Sequence, residues 1–313
     1  MIDISVVVPV YGCPEALESL HERVVKTIKS LKKKYELILV NDGCPKGSWE
    51  IIKKICDKDK NVVGVNLSRN FGQLHSTNAG ISLAKGDFVV LMDCDLQDKP
   101  EGIADLYIEI KKGYEIVFAK RKNRKDSKFA ILASKLFYKI YNSFVEGHYD
   151  GDICNFCIVR KRIIDKYNEI KDNNKSFTTT LSWMGYKAAY VEIDSDLRYE
   201  GKSSYTLSKK IQLAIDMLTS QSNKPLIAVV YFGMILALLA FLYLIIQVIK
   251  FLIFRDAPTG WTSMIASVFL MGGLTLVSIG GVGIYVGNIF NQTKGVPEYL
   301  IDEILNRKEQ TKE

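Results

Sequence analysis

The segment Phe88-Val89-Val90-Leu91-Met92-Asp93-Cys94-Asp95 decides the class of fold. Five apolar residues in a row predict a buried strand, and two acidic residues follow it almost at once. Apolar runs of this kind alternate with amphipathic helical patterns along residues 4–119. This alternation is typical of an α/β fold, in which a mostly parallel sheet is covered by helices on both faces. We therefore predict a Rossmann-like α/β domain over residues 1–204.

The alternation predicts where each element lies. Strands are expected at 4–10, 37–40, 62–67, 88–92 and 116–119, and helices at 15–34, 49–56, 74–84, 103–111 and, after a basic loop, 128–144. In such sheets ligands bind beyond the carboxyl ends of the strands. The residues found there are Tyr11, Asp42, Arg69 and the Asp93/Asp95 pair. These residues are the first candidates for chemistry.

Two long uncharged stretches follow the predicted domain, at 225–249 and 257–293. Each exceeds the roughly 20 apolar residues that cross a bilayer. We predict two transmembrane helices, at about 225–254 and 262–290, and a cytoplasmic tail at 294–313. Residues 205–224 have an amphipathic pattern, which fits a juxtamembrane helix lying on the bilayer and equally a helix packed on the domain.

The charge pattern bears on topology. The net charge is +7, and the basic excess lies in residues 1–224, because residues 225–313 carry as many basic as acidic side chains. A basic surface suits anionic lipid or phosphate ligands, although a solvated excess of lysine is an ordinary alternative. The N-terminus lacks the basic region of a signal peptide. We expect the domain and the tail on the cytoplasmic side.

The six cysteines, at 13, 44, 56, 94, 154 and 157, are irregularly spaced, and we expect all of them to be reduced. Cys154 and Cys157 have CxxC spacing, which raises the alternative of a zinc site. No second cysteine pair supplies the other ligands. We expect a buried thiol pair on a strand.

Asp93 and Asp95 carry the clearest chemical signal. Carboxylates at i and i+2 would point to the same side if the strand continued through them. Mg²⁺ and Mn²⁺ prefer oxygen ligands, and Mg²⁺ commonly completes its shell with substrate phosphates. The pair therefore predicts a Mg²⁺ or Mn²⁺ site that binds a diphosphate.

Taken together, the motifs resemble glycosyltransferase family 2, whose catalytic domain has the GT-A fold. They are Val8-Pro9-Val10-Tyr11, Val40-Asn41-Asp42-Gly43 and Asp93-Cys94-Asp95-Leu96-Gln97. Four pieces resemble the polyprenyl-phosphate branch of that family: Ser68-Arg69-Asn70-Phe71-Gly72, Asp93-x-Asp95-Leu96-Gln97, Trp183-Met184-Gly185-Tyr186 and the Arg198, Gly201, Ser203, Tyr205 series. Two spans after the domain are usual in that branch.

The resemblance implies roles for individual residues. Nucleotide-sugar binding would fall to Pro9, Tyr11, Asp42, Arg69, Asp93 and Gln97, and metal binding to Asp93 and Asp95. Ser203 would contact phosphate, and Asp152 and Arg198 would be catalytic. The chain departs from the family pattern at Asn155 and Cys157, which replace a carboxylate or small polar residue and an arginine.

The expected activity is inverting transfer of a sugar, from a UDP-sugar in the first instance, to a polyprenyl phosphate such as undecaprenyl phosphate. The expected location is the bacterial inner membrane, as a multi-pass protein with no nucleic-acid partner. Glycines in the second span fit either a homo-oligomer or packing on the first span. Two alternatives stay open, namely sugar addition to a glycan and a non-catalytic membrane scaffold.

Overall fold

The computed structural model describes residues 2–121, 153–172, 175–193, 224–254 and 260–307. These residues form two compact units, one built from residues up to 193 together with 297–307, and one from 224–254 and 260–296. The predicted helix at 128–144 and the amphipathic segment before Lys224 lie outside the described residues.

The first unit alternates strands and helices as the apolar pattern predicts. Its strands are β1 (Ile4–Val10), β2 (Tyr35–Asn41), β3 (Val62–Leu67), β4 (Phe88–Leu91), β5 (Ile116–Arg121), β6 (Ile153–Arg160), β7 (Ala188–Ile193) and β8 (Ile301–Leu305). Its helices are α1 (Leu17–Ser30), α2 (Ser48–Lys58), α3 (Gln73–Leu83), α4 (Gly102–Ile110), α5 (Lys161–Glu169) and α6 (Phe177–Trp183). The second unit consists of α7 (Lys224–Phe254) and α8 (Trp261–Thr293).

The strands form one mixed sheet in the order β7-β5-β6-β4-β1-β2-β3-β8. The central strands β4, β1, β2 and β3 are parallel, whereas β6 and β8 run antiparallel to their neighbours. The carboxyl ends of the four central strands therefore meet at one edge. This is the edge at which the candidate residues were expected.

The core lies on both faces of the sheet, as predicted for a sheet sandwiched between helices. On β1, Val6, Val8 and Val10 pack with residues of α1, α2 and α4, while Val7 packs with α3, α5 and α6 on the opposite face. Successive side chains of a strand point to opposite faces, so a strand buried on both faces needs an unbroken apolar run. The run Val6-Val7-Val8 meets this requirement.

The segment after the second long helix returns to the sheet. Ile301–Leu305 forms β8 and pairs antiparallel with β3. Asn306, in a left-handed conformation with φ 58°, donates hydrogen bonds to the carbonyls of Cys56 at 2.6 Å and Val62 at 2.9 Å. Part of the predicted tail at 294–313 is thus an edge strand of the sheet in the first unit.

The second unit has long helices at the two predicted positions. By length and composition, one stretch among the described residues, Met271–Phe290, could cross a membrane. A shorter apolar stretch, Leu226–Leu236, lies in α7. Two transmembrane passes therefore remain a prediction.

Candidate active site

The loops that follow β1, β2, β3 and β4 hold most of the candidate residues. Because these strands are parallel neighbours, the loops lie side by side at the carboxyl edge of the sheet. The acceptor-side residues predicted from the resemblance, Asp152, Arg198 and Ser203, lie outside the described residues. The described residues therefore include the candidates for nucleotide-sugar and metal binding, but not those for the acceptor.

Asp93 and Asp95 lie in a turn that begins where β4 ends at Leu91. The premise that the strand continues through both residues is wrong, because Cys94 and Asp95 are turn residues and Leu96 adopts φ 55°. Asp93 Oδ1 accepts a hydrogen bond from Gln73 Nε2 at 2.7 Å, and Asp95 Oδ1 accepts one from the Gln97 N–H at 3.1 Å. Both carboxylates are partly exposed and oriented by these donors.

Asp42 lies just beyond β2 and is only 2% exposed. Its Oδ1 accepts the Phe71 N–H at 2.7 Å, and its Oδ2 accepts the Gly72 N–H at 3.0 Å. Burial raises the pKa of this carboxyl, and the two backbone donors partly offset that rise. The contacts give Asp42 the role of holding the loop after β3 in place.

Gly43 packs against the loop that follows β3. Its φ is +58°, and a Cβ there would lie 2.6 Å from Asn70 N and 2.7 Å from the carbonyl carbon of Arg69. The close approach is therefore that of the Arg69–Asn70 backbone, which packs onto Gly43 directly.

Arg69 is exposed at the same edge. Its guanidinium lies 4.0 Å from the centroid of the Phe71 ring, and its Nη1 donates to the carbonyl of Asn70 at 3.0 Å. Stacking on a ring holds a guanidinium in a defined plane while its charge stays accessible. This arrangement suits binding of a phosphate or a nucleotide.

The remaining donor-side candidates differ in their exposure. Pro9 is a buried residue of β1, opposite Val40 of β2, so it shapes the end of the strand. Tyr11 follows β1 and is 52% exposed, which leaves its ring available for stacking. Gln97 is partly buried in the turn that carries Asp95.

Cys94 lies between the two aspartates and is disulfide-bonded to Cys13 in the loop after β1, with 6.4 Å between the Cα atoms. The expectation that all six cysteines are thiols is therefore wrong for this pair. The two cysteines meet because β1 and β4 are adjacent parallel strands, so the loops that follow them lie side by side. Cys13 and Cys94 are nevertheless 81 residues apart in sequence. The disulfide joins the Asp93–Asp95 turn to the Tyr11 loop.

The expectation for the CxxC segment is confirmed. Cys154 and Cys157 are buried residues of β6, and neither forms a disulfide. They belong to hydrophobic clusters on opposite faces of the sheet, as a spacing of three on a strand requires. Burial raises the pKa of the Cys157 thiol strongly. Two thiols on opposite faces do not form a zinc site.

The donor set of the Asp93–Asp95 turn fits a hard divalent cation. Both side chains offer carboxylate oxygens, and no cluster of three His, Cys, Asp or Glu ligands exists among the described residues. A Mg²⁺ ion is typically held by one or two carboxylates and completed by substrate phosphates and water. Asp93 and Asp95 are therefore the residues that would hold Mg²⁺ or Mn²⁺ here.

Two participants in this site were missed at the level of sequence. The first is Gln73, which contacts Asp93 and is the first residue of α3. Its place directly after the Ser68–Gly72 motif could have identified it as a candidate. Cys13 gave no comparable signal, because nothing in its spacing points to Cys94.

A mostly parallel sheet with an Asp-x-Asp turn at its carboxyl edge defines an α/β domain of the GT-A type. Residues 5–168, just over half of the chain, match the family model described as glycosyl transferase family 2. The chain belongs to glycosyltransferase family 2, and it is therefore a glycosyltransferase.

Relatives extend the likeness over the whole chain. The chain is 33% identical to the uncharacterized glycosyltransferase YkcC of Bacillus subtilis, over 96% of this chain and 94% of that protein. It is 32% identical to the undecaprenyl-phosphate 4-deoxy-4-formamido-L-arabinose transferase of Proteus mirabilis, over 99% and 96%. It is 31% identical to the bactoprenol glucosyl transferase of Shigella phage SfX, over 95% and 98%. The resemblance to the polyprenyl-phosphate branch is thus confirmed.

Proposed function

We propose that this protein transfers a sugar from a nucleotide-sugar to a polyprenyl phosphate, with inversion at the anomeric carbon, at the cytoplasmic face of a bacterial inner membrane. The donor we favour is a UDP-sugar, and the metal is Mg²⁺ or Mn²⁺. The observation that carries the proposal is the oriented Asp93/Asp95 pair at the carboxyl edge of the sheet. Relatives of matching length are named for transfer to undecaprenyl phosphate or bactoprenol.

On the donor side, the described residues have different roles in binding the nucleotide-sugar. Asp93 and Asp95 would hold the metal, and a bound divalent ion would supply positive charge near the diphosphate. Arg69 binds phosphate or base from its stacked position on Phe71, and Tyr11 offers a ring to the nucleotide. Asp42 keeps the Arg69 loop at the edge of the sheet. Gln97 contributes to the nucleotide pocket.

On the acceptor side, we assign Arg198 and Ser203 to phosphate contacts and Asp152 to orienting the acceptor or removing its proton. A phosphate monoester loses its second proton with a pKa of about 6, so most acceptor molecules are already nucleophilic at neutral pH. The acceptor oxygen forms a bond to the anomeric carbon as the bond to the nucleoside diphosphate breaks. Positioning and charge stabilisation therefore matter more than a strong base.

The pairing of β8 with β3 supports the proposed membrane topology. Residues before α7 and residues after α8 belong to one sheet, so both lie on the same side of any membrane. The chain between them must then cross an even number of times. Two passes, through α7 and α8, meet this requirement.

The decisive experiment incubates membranes containing the protein with undecaprenyl phosphate and a panel of labelled UDP- and GDP-sugars, with and without Mn²⁺. We expect one labelled glycolipid, formed only with metal. Label in a polymeric glycan would favour polysaccharide synthesis instead. Absence of product together with absence of metal-dependent nucleotide binding would favour a scaffold.

A further inference from the structure

We propose that Gln73 is a positioning residue, which orients the Asp93 carboxylate for the metal and thereby sets the affinity of the site for the metal–nucleotide complex. The inference rests on the proposed function, since it assigns Gln73 a task within that site. Gln73 has no role in the motifs described above.

The first observation is the contact itself. Gln73 Nε2 lies 2.7 Å from Asp93 Oδ1. An ionised carboxylate only accepts hydrogen bonds, so the side of the amide that faces Asp93 is its nitrogen. This contact restricts the rotation of the carboxylate group about its own axis.

The second observation is that the backbone leading into Gln73 is anchored, although the Gln73 side chain itself is exposed. It is the first residue of α3, and the preceding Gly72, with φ +96°, has its N–H bound to Asp42 Oδ2 at 3.0 Å. Asp42 follows β2, and Asp93 follows β4, while β1 lies between those strands. The series Asp42, Gly72, Gln73 and Asp93 therefore bridges two loops across the end of β1.

The chemistry of an amide suits this task. Groups that hydrogen-bond to a metal ligand orient it, and their loss commonly weakens metal binding by roughly 10- to 100-fold. A lysine at the same place would add a positive charge that repels the metal. A neutral amide supplies the orienting hydrogen bond and leaves the charge of Asp93 undiminished.

The test compares Gln73→Met with the wild-type protein, both full-length and purified in detergent. Methionine keeps the length and helix preference of glutamine but has no donor. The affinity for Mn²⁺ is measured by electron paramagnetic resonance in the presence of saturating UDP. We expect the Mn²⁺ dissociation constant to rise about tenfold, while the thermal unfolding midpoint without ligand stays unchanged.

Leu74→Met is the matched control, because it introduces the same side chain at the neighbouring position of α3. It should bind Mn²⁺ as the wild type does. An unchanged dissociation constant in Gln73→Met would overturn the inference, and so would a fall in its unfolding midpoint that Leu74→Met does not share. Failure of wild-type protein to bind Mn²⁺ with UDP would instead overturn the proposed function, and this inference with it.

Discussion

Asp42 accepts the backbone N–H of Phe71 at 2.7 Å, across 29 residues of sequence. The Asp42-Gly43 motif suggests ligand binding in the sequence, but the buried Asp42 carboxylate has a structural task. It anchors the loop that carries Arg69. The same carboxylate binds the next N–H, that of Gly72. The position of the loop after β3 depends on this pair of contacts.

Replacing Asp42 by asparagine should therefore destabilise the protein. The asparagine NH₂ group would face one of the two backbone N–H groups, which would be left buried without an acceptor at a cost of about 1–3 kcal/mol. Urea unfolding measures the loss, and limited proteolysis should detect loosening of residues 68–72. Asp57→Asn, on the exposed surface of α2, is the control. Equal stability of the two variants would contradict the anchoring role.

Gly43→Ala should weaken nucleotide binding as well as stability. The new Cβ would meet the Arg69–Asn70 backbone, which must then move. Gly47→Ala is a matched control, because Gly47 also has positive φ, at +78°, but nothing lies within 4 Å of its Cβ position. In both variants the free energy of unfolding should fall by about 1–2 kcal/mol, because alanine is strained in the left-handed conformation. Only Gly43→Ala should also bind UDP more weakly in calorimetry, and equal UDP affinities would refute this account.

Asp95→Ala should abolish transfer while the protein stays folded and membrane-bound. The reason is that Asp95 is assigned to the metal, and it is partly exposed and outside the core. Product formation from labelled donor measures the effect, and circular dichroism checks the fold. Asp105→Ala, an exposed residue of α4, should retain activity. Full activity of purified Asp95→Ala would remove the metal role.

The stability of the first unit should fall in acid partly because of Asp59. Burial disfavours its charge, but hydrogen bonds from Tyr35 at 2.6 Å, from His21 and from Asn61 outweigh this and lower its pKa to about 2. A depressed folded pKa gives stability that is present above the unfolded pKa of about 4 and is lost as the pH falls towards 2.

Asp59→Asn should accordingly lower the free energy of unfolding by about 1 kcal/mol at pH 7, a value that includes a reduction for solvent screening. The difference from the wild type should shrink progressively between pH 4 and pH 2. Urea unfolding of both proteins across this range gives the difference directly. A difference that stays constant with pH would mean that the charge of Asp59 contributes nothing.

The sequence was informative wherever local pattern determines structure. Apolar runs such as Phe88–Leu91 located the strands, and their order along the chain placed the Asp93–Asp95 turn at the carboxyl edge. Contacts between residues distant in sequence had no such signature. The bond between Cys13 and Cys94, the packing of Asn70 on Gly43 and the addition of β8 to the sheet all depend on which loops and edges meet in space.

The place of β8 in the sheet also has a consequence for biosynthesis. A ribosome makes β3 more than 230 residues before β8, so the edge of β3 must wait unpaired while both long helices are synthesised. Unpaired strand edges readily join other chains. The sheet can therefore be completed only after both long helices and β8 have been synthesised. Premature termination before residue 301 would leave a nascent domain with an open edge, and such a chain should aggregate or be degraded.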